Sequence, residues 1–445
     1  MSAVVRGGVM SLVVAAVTGC VKPVPADVDA LVTLGPELGA LTQSGVAVWC
    51  EVEWLDDRGE IVLQVREIGS GEGSVADSPA TVLGGTSGAG HRQQLRFDLA
   101  GLRADTRYTY QLGGAMAEAG HSSVGGSFHT LRPVEQSQKV VVAFGSCADE
   151  GTGTGALWGQ LAQLHPDAVV LLGDTPYIDS VDPAQQEKRH REFHLTPSMQ
   201  AVLSDVPLYS VWDDHDFGLN DTSGLMAGRE VARACFTRFR INPSFGDGSG
   251  GVYTSFSHGP MEVFLLDTRW FSATETGPHG QPTLLGTGQW EWLERALSAS
   301  TAPFKVIASS MVFNSSVRPL KTDYWGHYPA EYQRLMDLLG RLKVEGVILV
   351  SGDVHNTRIV NHHVAGVVGY DLIELVTSPM HDRVHNAALF SNSADVEITV
   401  GQPHSMLLLS ADDTVPPALL RARFIDKSGA VFLEREYRVE DLRGP

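Results

Sequence analysis

Two wholly apolar runs that each stop at Gly-Asp constrain this chain more than any other feature. In the first, Val169, Val170, Leu171 and Leu172 lead into Gly173-Asp174 and on through Thr175, Pro176, Tyr177, Ile178 and Asp179. In the second, Val347, Ile348, Leu349, Val350 and Ser351 lead into Gly352-Asp353-Val354-His355. A short run that is apolar at successive positions suits a strand covered on both faces, as in α/β sheets. Such sheets place ligand-handling residues just beyond the carboxyl ends of their strands. With both strands in one parallel sheet, Asp174, Asp353 and His355 are expected at a common rim.

A third apolar run, 207–212, ends in Asp213, Asp214, His215 and Asp216, with Asn220 and Asp221 close behind. Acids packed this densely at a buried strand end repel one another, and a bound cation removes that cost. A solvated acidic turn is the plainer alternative. A fourth strand end, Phe144-Gly145-Ser146-Cys147, offers a thiol that a metal would hold as thiolate.

Composition narrows the partners. The formal charge of -19, from 33 Lys plus Arg against 52 Asp plus Glu, argues against nucleic-acid binding, which needs a positive surface. No internal run is long enough to span a membrane. At the N-terminus, Arg6, a short apolar stretch over 7–17 and then Val17-Thr18-Gly19-Cys20 resemble a bacterial lipoprotein signal. This reading gives a signal peptide over 1–19, a lipidated Cys20, a tether over 20–27 and an exported protein held on a membrane. An ordinary secretory signal with an incidental Cys20 is the alternative. Besides Cys20 only Cys50, Cys147 and Cys235 are present, too few for a disulfide scaffold, and pairing of Cys50 with Cys235 is left open.

Along the chain, alternation over 46–54, 60–67 and 94–99 predicts half-buried strands, and 100–112 resembles the corner and following strand of fibronectin type III-like sandwiches, with Tyr108 or Tyr110 as the corner residue. A small all-β domain is placed at 28–131, with a hinge at 132–134. Beyond it, strands alternate with helical spacing, an α/β pattern. Strands are expected at 139–144, 168–172, 262–266 and 304–308, and helices at 156–164, 187–193, 229–240, 288–297 and 329–339. The segments 372–376, 405–410, 419–425 and 430–437 are expected as antiparallel edge strands completing a mixed sheet. Gly151, Gly153 and Gly155 lack the Lys-Ser/Thr of a nucleotide loop and are expected to form a flexible loop bordering the site.

Taken in order, the motifs at Gly145-Ser146-Cys147, at 172–179, at 212–216 with Asn220 and Asp221, at Leu266-Asp267-Thr268-Arg269 and at 351–355 resemble those of the PhoD-like alkaline phosphatases, a branch of the calcineurin-like metallophosphoesterases. The resemblance implies a two-layer mixed β-sheet core with flanking helices over 136–440, following the sandwich domain. It implies that Asp174 bridges two metals, that Cys147, Tyr177 and His355 complete the shell of a ferric ion, and that Asp174, Asn220 and Asp353 hold calcium. Phenolate and carboxylate suit Fe(III), and oxygen-only ligands suit Ca2+. A dinuclear zinc or manganese centre is the alternative. Cys147 at an early ligand position, and Asp353 where the last motif has its first histidine, depart from the general calcineurin-like pattern as the PhoD-like branch does.

The implied activity is hydrolysis of a small phosphoester, a monoester before a diester, by metal-activated water. A phosphodiesterase or phospholipase D-like hydrolase of membrane or wall polymers is one alternative, and a non-enzymatic anchored binding protein is another. His215 is a candidate to contact a substrate oxygen or protonate the leaving group, or else a packing histidine. Asp214 ligates metal or holds an imidazole. Arg269 grips a phosphate oxygen or pairs with Asp267 or another carboxylate. His362, His363, His381 and His385 are expected in ordinary surface or loop positions. Trp270, Phe271, Tyr324, Trp325 and Tyr328 wall a leaving-group pocket or belong to the core.

Overall fold

The structure, a computed structural model, describes residues 28–444 except 56–59, 70–75, 86–89, 118–123, 275–281, 316–320, 322, 387–388 and 390–392. The signal, Cys20 and the tether therefore lie outside the described residues. Among the described residues no helix is long and apolar enough to cross a membrane.

The chain opens with β1 (Ala30–Gly39), β2 (Gly45–Trp54), β3 (Val62–Glu67), β4 (Ala76–Pro79), β5 (Thr81–Gly85), β6 (Arg92–Ala100), β7 (Arg107–Gly113), β8 (Ala115–Ala117) and β9 (Gly125–His129). These form two sheets, β5-β6-β2-β1-β8 and β4-β3-β7-β9. Alternate residues of both sheets, among them Val32, Val48 and Phe97 from one and Leu63, Val65 and Tyr108 from the other, share one apolar core. The predicted strands 46–54 and 94–99 fall within β2 and β6, 60–67 overlaps β3, and the strand expected after the corner is β7. The long β1 escaped notice because its sequence, ALVTLGPELG, is broken by Gly35-Pro36, where the pairing with β2 shifts register.

The second part contains β10 (Lys139–Gly145), α1 (Thr152–Leu164), β11 (Ala168–Leu172), α2 (Pro183–His194), α3 (Pro197–Leu203), β12 (Leu208–Val211), α4 (Asp214–Phe217), α5 (Arg229–Phe239), β13 (Thr254–His258) and β14 (Met261–Leu266). It continues with α6 (Gly286–Ala299), β15 (Phe304–Ser309), α7 (Pro329–Leu342), β16 (Val347–Ser351), β17 (Thr357–Asn361), α8 (Ala365–Val368), β18 (Ile373–Val376), β19 (Val396–Val400), β20 (Ser405–Asp412), β21 (Leu419–Asp426) and β22 (Val431–Arg438). One mixed sheet runs β12-β11-β10-β20-β21-β22 and the other β13-β14-β15-β16-β18-β17-β19. They face each other across a core that takes Val142, Phe144, Val170 and Leu172 from the first and Val263, Leu265, Ile307 and Leu349 from the second. The opposite face of β11, Val169 and Leu171, packs on Leu157 and Leu161 of α1 and Met199 of α3. Burial on both faces is why this strand contains no polar residue.

This layout corrects three expectations. The two Gly-Asp strands, β11 and β16, lie in different sheets, and their ends meet because the sheets face each other. The 372–376 segment is no antiparallel edge, since β18 runs parallel to β16 in the sheet interior. Gly153 and Gly155 belong to α1 rather than to a loop, and a Cβ on Gly153 would lie 2.1 Å from the His404 ring, so close packing, not flexibility, calls for glycine there. Cys50 and Cys235 are both buried free thiols.

The two parts are joined by a buried contact. Leu34, Ala47 and Trp49 of the first cluster with Cys235, Phe239 and Ile241 of the second. Around this patch Trp49 Nε1 donates to Arg238 O at 2.8 Å and Tyr110 Oη to Ser204 O at 2.8 Å. Arg191 of α2 pairs with the buried Glu51 carboxylate.

Candidate metal centre

The strand ends after β10, β11, β12 and β16 converge where the carboxyl edges of the facing sheets meet. Gly173 and Gly352 make this approach possible. A Cβ on Gly173 would stand 2.4 Å from the Asp213 backbone nitrogen, and one on Gly352 would stand 2.6 Å from Ser146 Oγ. After β12 the chain turns at once into α4 through a capping box in which the Asp216 carboxylate accepts from the Asp213 amide at 2.5 Å. Cys147 (φ 55°), Asp174 (φ 52°), Asp353 (φ 65°) and His355 (φ 52°) all adopt the left-handed region. Non-glycine residues seldom do so, and such strain gathers at functional sites.

Three overlapping sets of potential ligand atoms result, the atoms of each within 4.8 Å of one another: Cys147, Asp174 and His355; Asp174, Asp214 and His215; and Asp214, Asp221 and Asp323. Asp174 belongs to the first two. Its Oδ2 lies 3.5 Å from Cys147 Sγ, which also receives Ser378 Oγ at 3.2 Å. Tyr177 joins the first set, its hydroxyl 3.1 Å from His355 Nε2 and 2.9 Å from His381 Nε2. Asn220 is exposed one residue before Asp221, whose amide donates to Asp214 Oδ2 at 2.7 Å. The Asp353 carboxylate is held by Lys321 Nζ at 2.9 and 2.7 Å.

Electrostatics fit cation binding. Burial, and after it the carboxylates of Asp214, Asp216 and Asp353, push the Asp174 carboxyl well above the usual range, against Arg269. Burial and Asp174 likewise push the Cys147 thiol up, against its hydrogen bonds with Ser378 and Ser146. Burial raises Asp214 too, but Arg269, His215 and Lys321 outweigh it and hold that carboxyl below its ordinary value. Burial, with the charges of His381, His385 and Arg383, drives His355 down to about 2, so its ring is neutral. Its buried Nδ1 has no hydrogen-bond partner among the described residues. A thiol, a phenol, carboxylates and a neutral imidazole, secluded and mutually repelling when ionised, are a donor set that a bound cation stabilises.

Several expectations are sharpened. Of the two readings of Arg269, the salt bridge is the one observed: the side chain is fully buried, with Nε 2.6 Å from Asp213 Oδ1 and NH2 2.5 Å from Asp323 Oδ2. Asp267 instead accepts from the Trp212 indole at 2.8 Å and from backbone amides. His215 is half-buried, with Nδ1 2.6 Å from Asp179 Oδ1, and its backbone amide donates to Asp214 Oδ1 at 3.0 Å. Trp270, Trp325 and Tyr328 are core residues.

All four histidines expected in ordinary surface or loop positions lie in loops, but two of them are buried. His381 is fully buried against Tyr177, and His362 is buried between Tyr332 Oη at 2.7 Å and Glu374 Oε2 at 3.1 Å. His363 and His385 are exposed, the latter stacked on His355 with ring centroids 4.4 Å apart. Lys321 and Asp323 are not among the residues expected at the site, and His381 is expected only as an ordinary surface or loop residue. Lys321 and Asp323 follow the buried apolar strand β15, and His381 follows β18, but neither strand ends in the Gly-Asp step that marks β11 and β16.

Comparisons with known proteins agree with this layout. Alkaline phosphatase D of Bacillus subtilis (strain 168) is 23% identical over 316 residues, covering 59% of this chain and 53% of that protein, so the chain spans about half the length of this curated relative. A solved structure titled "Structure of PhoD" superposes with a TM-score of 0.67 at 18% identity, covering 92% of each chain. The purple acid phosphatase PPD1 from yellow lupin (Lupinus luteus) seeds gives a TM-score of 0.65 at 16% identity, covering 92% of this chain and 74% of that one. These structural likenesses speak to the fold alone. The sequence model of the PhoD-like phosphatase family matches residues 142–412, a stretch that includes every strand end described above, and the chain belongs to that family.

Proposed function

We propose that this protein is a metal-dependent phosphoesterase that hydrolyses phosphomonoesters. The observation that carries the reading is the position of Asp174, one carboxylate common to two adjoining ligand sets, as two neighbouring cations would require. When bound, the ions supply Lewis acidity toward the phosphoryl oxygens and the attacking water. Cys147, Asp174, Tyr177 and His355 would hold one of them, and Asp174, Asn220 and Asp353 the other. Fe(III) suits the thiolate and phenolate of the first group, and Ca2+ suits the oxygens of the second.

Asp353 would hold its ion in place of the Lys321 ammonium that pairs with its carboxylate. His215, steadied by the Asp179 carboxylate on its Nδ1, gives a proton to the leaving alkoxide. Arg269 keeps Asp213, Asp214 and Asp323 in place rather than touching substrate. The name of the Bacillus relative supports a monoester reading.

Residues 28–131 are read as a fibronectin type III-like domain, supported by the Tyr108 hydroxyl accepting the Arg103 amide at 3.0 Å as a tyrosine corner does, and residues 136–440 as the metallophosphatase domain. The protein is exported and tethered through Cys20, and Cys20→Ser is expected to release it from membranes into the soluble fraction.

The decisive test of activity is hydrolysis of p-nitrophenyl phosphate at neutral to alkaline pH, with bis-p-nitrophenyl phosphate alongside. Chelation is expected to abolish turnover, and added calcium to restore it while iron is retained. Absence of turnover of either ester by metal-replete protein refutes the proposal, and faster turnover of the diester reverses the monoester assignment.

A further inference from the structure

The loop bearing Asp174 is gripped from behind by a line of buried charges that begins in the other half of the molecule. Glu37 on β1, His194 at the end of α2 and Arg240 just past α5 are 0%, 0% and 1% exposed. His194 Nδ1 lies 2.6 Å from Glu37 Oε1, and its Nε2 meets Arg240 NH1. The other arm of Arg240, NH2, donates to the carbonyl oxygen of Thr175, the residue after Asp174.

Chemistry fixes the direction of each bond. The carboxylate only accepts and the guanidinium only donates. The imidazole between them is therefore neutral, with its proton on Nδ1, giving to Glu37 and taking from Arg240. On the far side of the same residue, the Thr175 amide faces Asp216 Oδ2 at 3.5 Å. The backbone following the shared carboxylate is thus held at both its carbonyl and its amide.

Stability alone does not account for this arrangement. Buried ion pairs lose in dehydration much of what they gain in attraction, and here Glu37 Oε2 and Arg240 Nε lack hydrogen-bond partners among the described residues. Groups that orient a metal ligand from outside, by contrast, have a steep effect on metal affinity and rate.

We propose that Glu37, His194 and Arg240 are positioning residues that let the N-terminal β unit set the conformation of the Asp174 loop. The catalytic half then depends on its neighbour for alignment, not only for stability. This inference rests on the proposed phosphoesterase function.

The test compares full-length parent, Glu37→Gln, Arg240→Lys and a control, Leu63→Ala, which removes a core side chain of the β unit on β3, a strand that contributes no residue to the relay. Each is assayed for p-nitrophenyl phosphate hydrolysis, for metal retained after fixed dialysis against a chelator, and for thermal midpoint. Glu37→Gln and Arg240→Lys are expected to lower kcat by about 10–100-fold with KM near the parent's, and to retain less metal. Leu63→Ala is expected to lower the thermal midpoint while keeping parental kcat and metal.

Parental kcat and retention in both relay variants overturn the inference, as does an equal loss in Leu63→Ala. If Glu37→Gln does not fold, Arg240→Lys, which keeps the charge but lacks the two-armed reach, decides alone. A parent without turnover defeats the functional reading, and metal retention then decides the relay by itself.

Discussion

Glu37 and Asp174 are carboxylates of nearly equal seclusion, 0% and 1% exposed, in opposite surroundings. Glu37 faces an imidazole backed by a guanidinium. Asp174 faces a thiol and the carboxylates of Asp214, Asp216 and Asp353. The first charge is answered by the protein itself, whereas the second is concentrated among like charges and left for a cation to answer. Burial therefore does not separate a structural acid from a functional one, and the sign of what surrounds it does.

The largest expected effect is on turnover. Asp174→Asn keeps the shape of the side chain but removes the charge, and is expected to lower kcat/KM by on the order of 10³-fold, the scale seen when one preorganised electrostatic group at a reacting centre is lost. Elemental analysis should show reduced metal. The same variant tests the comparison through stability. Because burial and like charges raise the Asp174 carboxyl, ionising it costs folding free energy at neutral pH when no metal is bound, so metal-free Asp174→Asn is expected to melt higher than metal-free parent.

The identical change at Glu37 is expected to have the opposite sign. Glu37→Gln removes one of the carboxylates, with Asp216, that face the buried Arg240 cation and should cost about 3 kcal/mol in denaturant unfolding, the low end of the range for removing one partner of a buried pair. Equal signs for the two variants would erase the distinction between the sites.

Acid sharpens it further. Burial holds His194 below its ordinary value of 6.5, aided by Arg240 and opposed by Glu37. Burial, with Arg240, His194, Arg238 and Arg189, holds His190 further below it. Both rings are neutral in the fold, whereas in the unfolded chain they take up protons once the pH falls below 6.5. Stability is thus complete above that pH and lost below it, by about 1.4 kcal/mol per pH unit for each ring. Thermal midpoints of chelated protein between about pH 7.5 and 5.5 check this, and the His194→Gln variant should show a shallower fall. The smallest effect is expected at the corner of the β unit, where Tyr108→Phe removes one hydrogen bond and should cost about 1 kcal/mol with turnover unchanged.

How far the site was legible depended on local grammar. Asp174, Asp353 and His355 announce themselves because each follows a run too apolar to be anything but a doubly covered strand, and Gly173 and Gly352 mark the close approach of another loop. His381, Lys321 and Asp323 follow β18 and β15 at a greater distance, with no glycine-acid step to draw the eye. Arg269 stands right after a strand end like the ligands, yet serves carboxylates, since spacing along the chain says nothing about what faces a side chain in space. Glu37 sits in a strand whose alternation is interrupted at Gly35-Pro36, so its burial had no sequence signature.

Which segments are strands covered on both faces, and which side chains stand at their ends, is written locally in the chain, because apolar periodicity and glycine-acid steps are direct consequences of burial and turn geometry. That β11 and β16 belong to two facing sheets, that Lys321 meets Asp353, and that Glu37 reaches the Asp174 loop through His194 and Arg240 emerges from the packed fold alone. Those pairings join residues far apart along the chain. Charge pairing between them is set by distance and direction after the sheets have packed, and no pattern of neighbouring residues encodes it.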